Sequence, residues 1–120
     1  MLTRDDVLGL SNSHYPLVTQ WGCWNSYFSH PDQNTMAHRF LLNPAGGAAA
    51  VLGASTLTQV SHEKELGIRL LERLVAGESL GQAVKHAKED LALSYPGMVD
   101  VLLGWTIIGD PALPGFQTGQ

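Results

Sequence analysis

Residues 45–54 contain no polar side chain, carry three glycines, and stop at Ser55. The run is far short of the ~18 apolar residues a membrane span needs. It shows neither the alternation of a half-buried strand nor the 3.6-residue period of an amphipathic helix. What fits is a central parallel strand with helices on both faces, and the alanines and glycines let those helices approach closely. This one assignment demands helical partners before and after it and further strands beside it.

The flanking sequence supplies both. Thr3 and Asp6 form an acidic variant of a capping box, which opens a short helix over residues 4–10 before the polar turn 11–14. Residues 16–21 read as a strand, with Pro16 at its first position where a missing N–H does least harm, and the strand runs directly into Gly22-Cys23. An aperiodic loop over residues 24–33 follows. Asn34 is placed to cap a helix reaching Leu42, with Met36, Ala37, Phe40 and Leu41 on one face and Asn43-Pro44 ending it. After the central strand, Ser61 is placed to cap a helix over residues 62–76, whose Leu66, Leu70, Leu71, Leu74 and Val75 share a side and whose end is marked by Gly77. Ser79 and Gln82 make a second capping box for a helix to about Ser94 that buries Leu80, Ala83, Val84, Ala87 and Leu91. Residues 101–108 then read as a third strand, closed by Gly109-Asp110-Pro111, and the tail from Pro114 is expected to fray.

Strands separated by helices imply an α/β fold with a mostly parallel sheet. About three strands are few for such a sheet, which commonly has five or six, and hydrophobic edges would stay uncovered. The expectation is a partial domain, completed by further sequence or by a second copy docking on the exposed sheet edge as a homodimer.

Composition narrows the partners. The 120 residues carry a formal charge of −4 with no Lys/Arg cluster, which leaves no footprint for nucleic acid. A hydrophobic content of 44% with 15% charged residues is that of a folded globular protein. No segment is suited to spanning a membrane, and the first residues lack a secretion signal. There is no Gly-rich phosphate loop, G-x-S-x-G elbow or paired-carboxylate arrangement, and nothing calls for a cofactor.

Chemistry concentrates on the lone cysteine. In open parallel sheets, functional residues gather at the carboxyl ends of strands, and Cys23 stands at such an end. A thiol acts as a nucleophile in its thiolate form and needs an activating base or helix N-terminus. The alternative is a structural thiol packed as a small hydrophobe. The five histidines, His14, His30, His38, His62 and His86, lack metal-ligand spacing, and Cys23 with His30 gives two ligands where a structural zinc site needs four. No metal site is expected. His62 opens a helix after the loop 55–58 and reads as a solvated first-turn histidine; Asp110 reads as a turn residue.

Several motifs in order resemble the second half of a gingipain-type peptidase domain. They are Leu2-Thr3-Arg4-Asp5-Asp6 before the strand, Cys23-Trp24-Asn25-Ser26-Tyr27-Phe28 for a Cys-x-Asn-Gly-aromatic-Phe turn, Gly46-Gly47-Ala48-Ala49-Ala50 with Ser55-Thr56-Leu57-Thr58, Leu80-Gly81-Gln82-Ala83-Val84-Lys85-His86-Ala87-Lys88, and Gly109-Asp110-Pro111-Ala112. The resemblance covers residues 1–113, leaving 114–120 as tail. It implies a caspase-like three-layer α/β/α architecture and a cysteine endopeptidase whose thiolate attacks the scissile carbonyl of a peptide or protein substrate. Cys23 would be the nucleophile, and its backbone N–H one oxyanion donor. Trp21, Ser55, Thr56 and Thr58 would line the pocket for the side chain before the scissile bond; Trp21 equally suits a packed strand residue, and Ser55 and Thr58 capping or turn groups. Ser26 replaces the family's Gly, and since Ser tolerates φ > 0 poorly, altered turn geometry is expected. The family's base is a His-Gly motif upstream of the cysteine. That motif is absent here and His14 reads as a loop histidine, so the chain is expected to be the C-terminal part of a domain, proteolytically silent without its N-terminal half. Secreted or cell-surface bacterial proteins are the setting the resemblance implies. The rival reading is a non-catalytic scaffold or interaction module with a structural cysteine.

Overall fold

The structure is a computed structural model that describes residues 2–29 and 34–116. In chain order it comprises α1 (Arg4–Leu8), β1 (Leu17–Gln20), α2 (Met36–Leu42), β2 (Ala50–Ala54), α3 (Val60–Val75), α4 (Leu80–Ser94), α5 (Val99–Gly104) and β3 (Trp105–Gly109). The three strands form one sheet in the order β1-β2-β3. β2 is central and buried at every position. Ala50, Leu52 and Ala54 pack into the cluster built by α3 and α4, while Val51 packs with Val7, Ala37 and Phe40 of α1 and α2 on the opposite face. The apolar run is therefore apolar because each face of the strand carries its own helical layer.

The sheet is mixed rather than mostly parallel. β1 pairs with β2 in parallel, Val18 opposite Val51, but β3 pairs with β2 antiparallel, Trp105 opposite Ala54. The reason is parity. A single crossover helix returns the chain to the end of the sheet where the strand began, whereas α3 and α4 pack against each other as a hairpin and bring it back to the end where β2 finished. A strand starting there has to run down the sheet. The third strand is also shorter than the 101–108 run, because Val101, Leu102 and Leu103 are helical in α5 and pairing begins at Trp105.

Local signals explain most element ends. Thr3 and Asp6 make the capping box of α1, and Ser79 and Gln82 that of α4. Two caps differ from expectation: α2 is preceded by Thr35 instead of Asn34, with Thr35 N–H donated to His38 Nδ1 at 3.1 Å, and α3 begins after Gln59 instead of Ser61. Asn43 ends α2 and does more. Its amide donates to the carbonyls of Val7 at 3.0 Å and Leu10 at 2.9 Å, satisfying carbonyls at the end of α1. The segment expected to fray from Pro114 lies against α3 as far as Phe116, whose N–H donates to Leu74 O at 2.9 Å.

Candidate active site

β1 and β2 run parallel, so their carboxyl ends point the same way and the loops leaving them are neighbours. The first of these loops is the turn that carries Cys23. Gly22 has φ 131° and Trp24 φ 63°, both in the left-handed region, and together they swing the chain out of β1 and leave Cys23 exposed between them. The positive φ thus falls on Gly22 and Trp24 and not on Ser26. Ser26 is fully buried, its hydroxyl directed to Gln20 Oε1 at 3.4 Å.

The turn is seated on the loop after β2 by main-chain bonds. Ser26 N–H donates to Ala54 O at 2.9 Å and Trp24 N–H to Thr56 O at 3.2 Å. Among the described residues no acceptor meets the N–H of Cys23.

The pocket candidates fall into different places. Thr58 surrounds the sulfur: the thiol donates to Thr58 O at 3.1 Å, while the N–H and hydroxyl of Thr58 approach Sγ at 3.3 and 3.5 Å. Thr56 reaches the turn through its main-chain oxygen, and its hydroxyl donates to Leu57 O at 3.2 Å. Ser55 is tied elsewhere, since both its N–H (2.8 Å) and its hydroxyl (3.0 Å) donate to Gly104 O at the end of α5. Trp21 lies on α3: its indole N–H donates to Thr19 Oγ1 at 3.1 Å and its ring centroid is 4.5 Å from that of Trp105. With Leu17, Ile68, Leu71 and Phe116 it lines an apolar groove of about 450 Å³ beside the α3 face, and Cys23 is not among the lining residues.

Two residues that sequence reasoning passed over complete the site. Glu63, in the first turn of α3, is only 5% exposed, and its Oε1 accepts Gly22 N–H at 3.3 Å and the Thr58 hydroxyl at 2.5 Å. An acidic residue in the first turn of a helix was the available signal, but that pattern ordinarily means favourable placement against the helix dipole. Asp100, at the start of α5, accepts Gln59 N–H at 2.8 Å and pairs with His62 Nδ1 at 2.7 Å. Burial pushes the Asp100 carboxyl up, but the N–H groups of Gln59 and Val101 and the His62 imidazole outweigh it and hold the group below its ordinary value.

The imidazoles of the described residues have partners of their own. His14 Nδ1 meets the Ser13 hydroxyl, His38 Nδ1 meets Thr35, His62 Nδ1 meets Asp100 and His86 Nδ1 meets Glu78. His30 lies outside the described residues. No three His, Cys, Asp or Glu side chains converge on a metal-sized space among the described residues, and no helix there is long and apolar enough to cross a membrane.

This arrangement offers an exposed thiol on a left-handed turn, at the carboxyl end of a parallel strand, with an N–H at the same residue that meets no acceptor among the described residues. No curated protein and no solved structure matches the chain. The family model Peptidase family C25 does match, and it does so over residues 1–116. With nearly its whole length covered, and with Cys23 and its loops in the places just described, the chain belongs to peptidase family C25, the gingipain family.

Proposed function

We propose that this chain carries the nucleophile half of a cysteine endopeptidase site. The observation behind this reading is the exposed Cys23 on its left-handed turn, in a chain that family C25 matches from residue 1 to 116. In this mechanism the Cys23 thiolate adds to the scissile carbonyl, the N–H of Cys23 donates to the developing oxyanion, and the amine leaves with a proton from a general acid. Water then hydrolyses the thioester and regenerates the thiol. Thr56 and Thr58 border the nucleophile and contribute the near wall of the substrate cleft, with Trp21 and Ser55 supporting it from α3 and α5.

The proton carrier is a histidine brought by sequence other than residues 1–120. The bonds around Sγ support this, since among the described residues they run to Thr58 and to no histidine. On this reading residues 1–120 alone are proteolytically silent. Among the described residues no strand pairs with the outer edge of β1, and that edge and the apolar groove along α3 support completion of a caspase-like sheet by further strands, or by a second copy when the chain is isolated.

The test is turnover of a fluorogenic peptide library by the longest natural product containing this chain, by its Cys23→Ala variant, and by residues 1–120 alone. Cleavage by the first that is lost on alanine substitution, with none by the isolated chain, supports the proposal. Turnover that survives Cys23→Ala overturns it by placing the chemistry on other groups, and no turnover in any form overturns it and leaves the thiol a structural element of a non-catalytic module, a role its three contacts with Thr58 would also suit.

A further inference from the structure

We infer that Glu63 is a positioning residue for the nucleophile, holding the Gly22-Cys23 turn in place and deciding which hydrogen bonds the sulfur can receive. The inference rests on the reading of Cys23 as a nucleophile, and it concerns a residue on a different element, forty positions downstream.

Glu63 Oε1 takes two donors, Gly22 N–H at 3.3 Å and Thr58 Oγ1–H at 2.5 Å. Thr58 has a single hydroxyl proton, and two acceptors lie within reach of it: the carboxylate at 2.5 Å and Cys23 Sγ at 3.5 Å. A separation of 2.5 Å is that of a charge-assisted O–H···O⁻ bond, whereas sulfur at 3.5 Å is a weak acceptor, so the proton belongs to Glu63. The sulfur is then left with one donor, Thr58 N–H at 3.3 Å, and as a thiol it offers its own proton to Thr58 O at 3.1 Å.

The same carboxylate fixes the backbone. Gly22 sits at φ 131°, and its N–H is pinned to α3 by Glu63. Because Glu63 is buried on a sixteen-residue helix, it gives the turn a rigid reference that the exposed loop 55–58 does not. The neighbouring ionisable group in that helix turn, His62, is occupied by Asp100 and makes no bond to Thr58 or Cys23.

The experiment follows the rate of iodoacetamide alkylation of Cys23 against pH in the full 120-residue chain, with thermal melting recorded for each variant. Four proteins are compared: unsubstituted, Glu63→Gln, Thr58→Val, and the double variant. In Glu63→Gln the neutral amide oxygen is a weaker acceptor than the carboxylate, so the Thr58 proton is shared with the sulfur, and a nearby negative charge is removed. Alkylation at pH 7 is then expected to rise by about two- to tenfold and the profile to move to lower pH, the size expected of one added hydrogen bond. Thr58→Val alone should leave the profile in place, since its hydroxyl does not serve the sulfur while Glu63 is present. In the double variant part of the Glu63→Gln shift should vanish. A carboxylate that served only as a helix-end group would lower the melting temperature and leave all four profiles superimposed, and that result overturns the inference. If Glu63→Gln fails to fold, Glu63→Asp takes its place: the shorter carboxylate draws back from Thr58 and Gly22, so a displaced alkylation profile supports the inference and an unmoved one overturns it. These readings do not require turnover, so loss of Cys23-dependent peptidase activity and loss of the Glu63 effect are separate outcomes.

Discussion

Gly53 and Ser26 share the space of one side chain: a Cβ built on Gly53 would stand 2.5 Å from Ser26 Oγ. The central strand and the turn that carries Cys23 are thereby in contact at Gly53, the glycine of β2. Gly53→Ala should cost about 1–3 kcal/mol through overpacking in a site closed on both sides. Adding Ser26→Gly removes the obstructing hydroxymethyl and should restore most of that loss, because the two positions are in direct contact and so not additive. Urea denaturation of both single variants and the double variant measures the coupling. Additive losses would show that the turn does not bear on β2.

A similar relation ties Trp21 to α3. A Cβ on Gly67 would come within 2.5 Å of the far edge of the Trp21 ring, which is itself 4.5 Å from Trp105. Alanine is worth about 0.5–1 kcal/mol over glycine inside a helix. An aromatic pair contributes about 0.5–1.5 kcal/mol beyond its buried area. Gly67→Ala should therefore gain nothing in the unsubstituted chain, since the indole has to leave Trp105, yet stabilise a Trp21→Ala chain by ~0.5–1 kcal/mol. Thermal melts in the two backgrounds give the difference, and tryptophan fluorescence reports the displaced ring.

Asn43 joins the two helices of the smaller layer. It is 7% exposed, donates to Val7 O and Leu10 O, and accepts Ala45 N–H at 3.0 Å. Asn43→Ala leaves Leu10 O without its donor, while Val7 O keeps Leu10 N–H at 3.2 Å, so the cost is that of one buried carbonyl, about 1–3 kcal/mol. We expect a total loss of ~1–3 kcal/mol by chemical denaturation, and a loss of less than ~1 kcal/mol for the neighbouring exposed Pro44→Ala.

How far the sequence could be read depended on the range of the interaction. The capping boxes Thr3/Asp6 and Ser79/Gln82 and the doubly buried β2 were legible because each is set by residues a few positions apart or by one uninterrupted run. The direction of β3 was legible in principle, since two successive helices reverse the parity, but the apolar residues 101–103 suit a strand and a helix alike, and only their packing as α5 against the other helices places them. Within the site, Cys23 could be singled out because it ends a strand. Glu63 could not, because its partners Gly22 and Thr58 lie 41 and 5 residues away and an acidic first turn is common to many helices. Trp21 stands between these cases. Its position two residues before Cys23 suited a pocket residue and a packed strand residue equally, and only the tertiary contact shows its ring on the α3 face, where the smallness of Gly67 makes room.

The pairing of Asp100 with Gln59 and His62 makes a pH prediction whose sign can be worked out. The folded-state carboxyl is held below its ordinary value, so the folded chain binds this proton less readily than the unfolded chain. Its contribution is therefore fully present above the unfolded carboxyl value of about 3.9 and is lost as pH falls through the folded value. Because Asp100 remains partly exposed, its bonds to Gln59 N–H and His62 are screened, and the contribution should be ~1 kcal/mol. Asp6 and Glu78 are shifted in the same direction, by Thr3 and by His86 with Arg73 respectively, so the acid limb of the whole chain cannot be assigned to one group. Asp100→Asn isolates it. At pH 6–7 the variant should be less stable than the unsubstituted chain by the full amount, and the two stability curves should converge below about pH 4, where the carboxyl takes up its proton. A gap that stays constant down to pH 2 would mean that the carboxylate charge contributes nothing and that the loss comes from altered packing between α3 and α5.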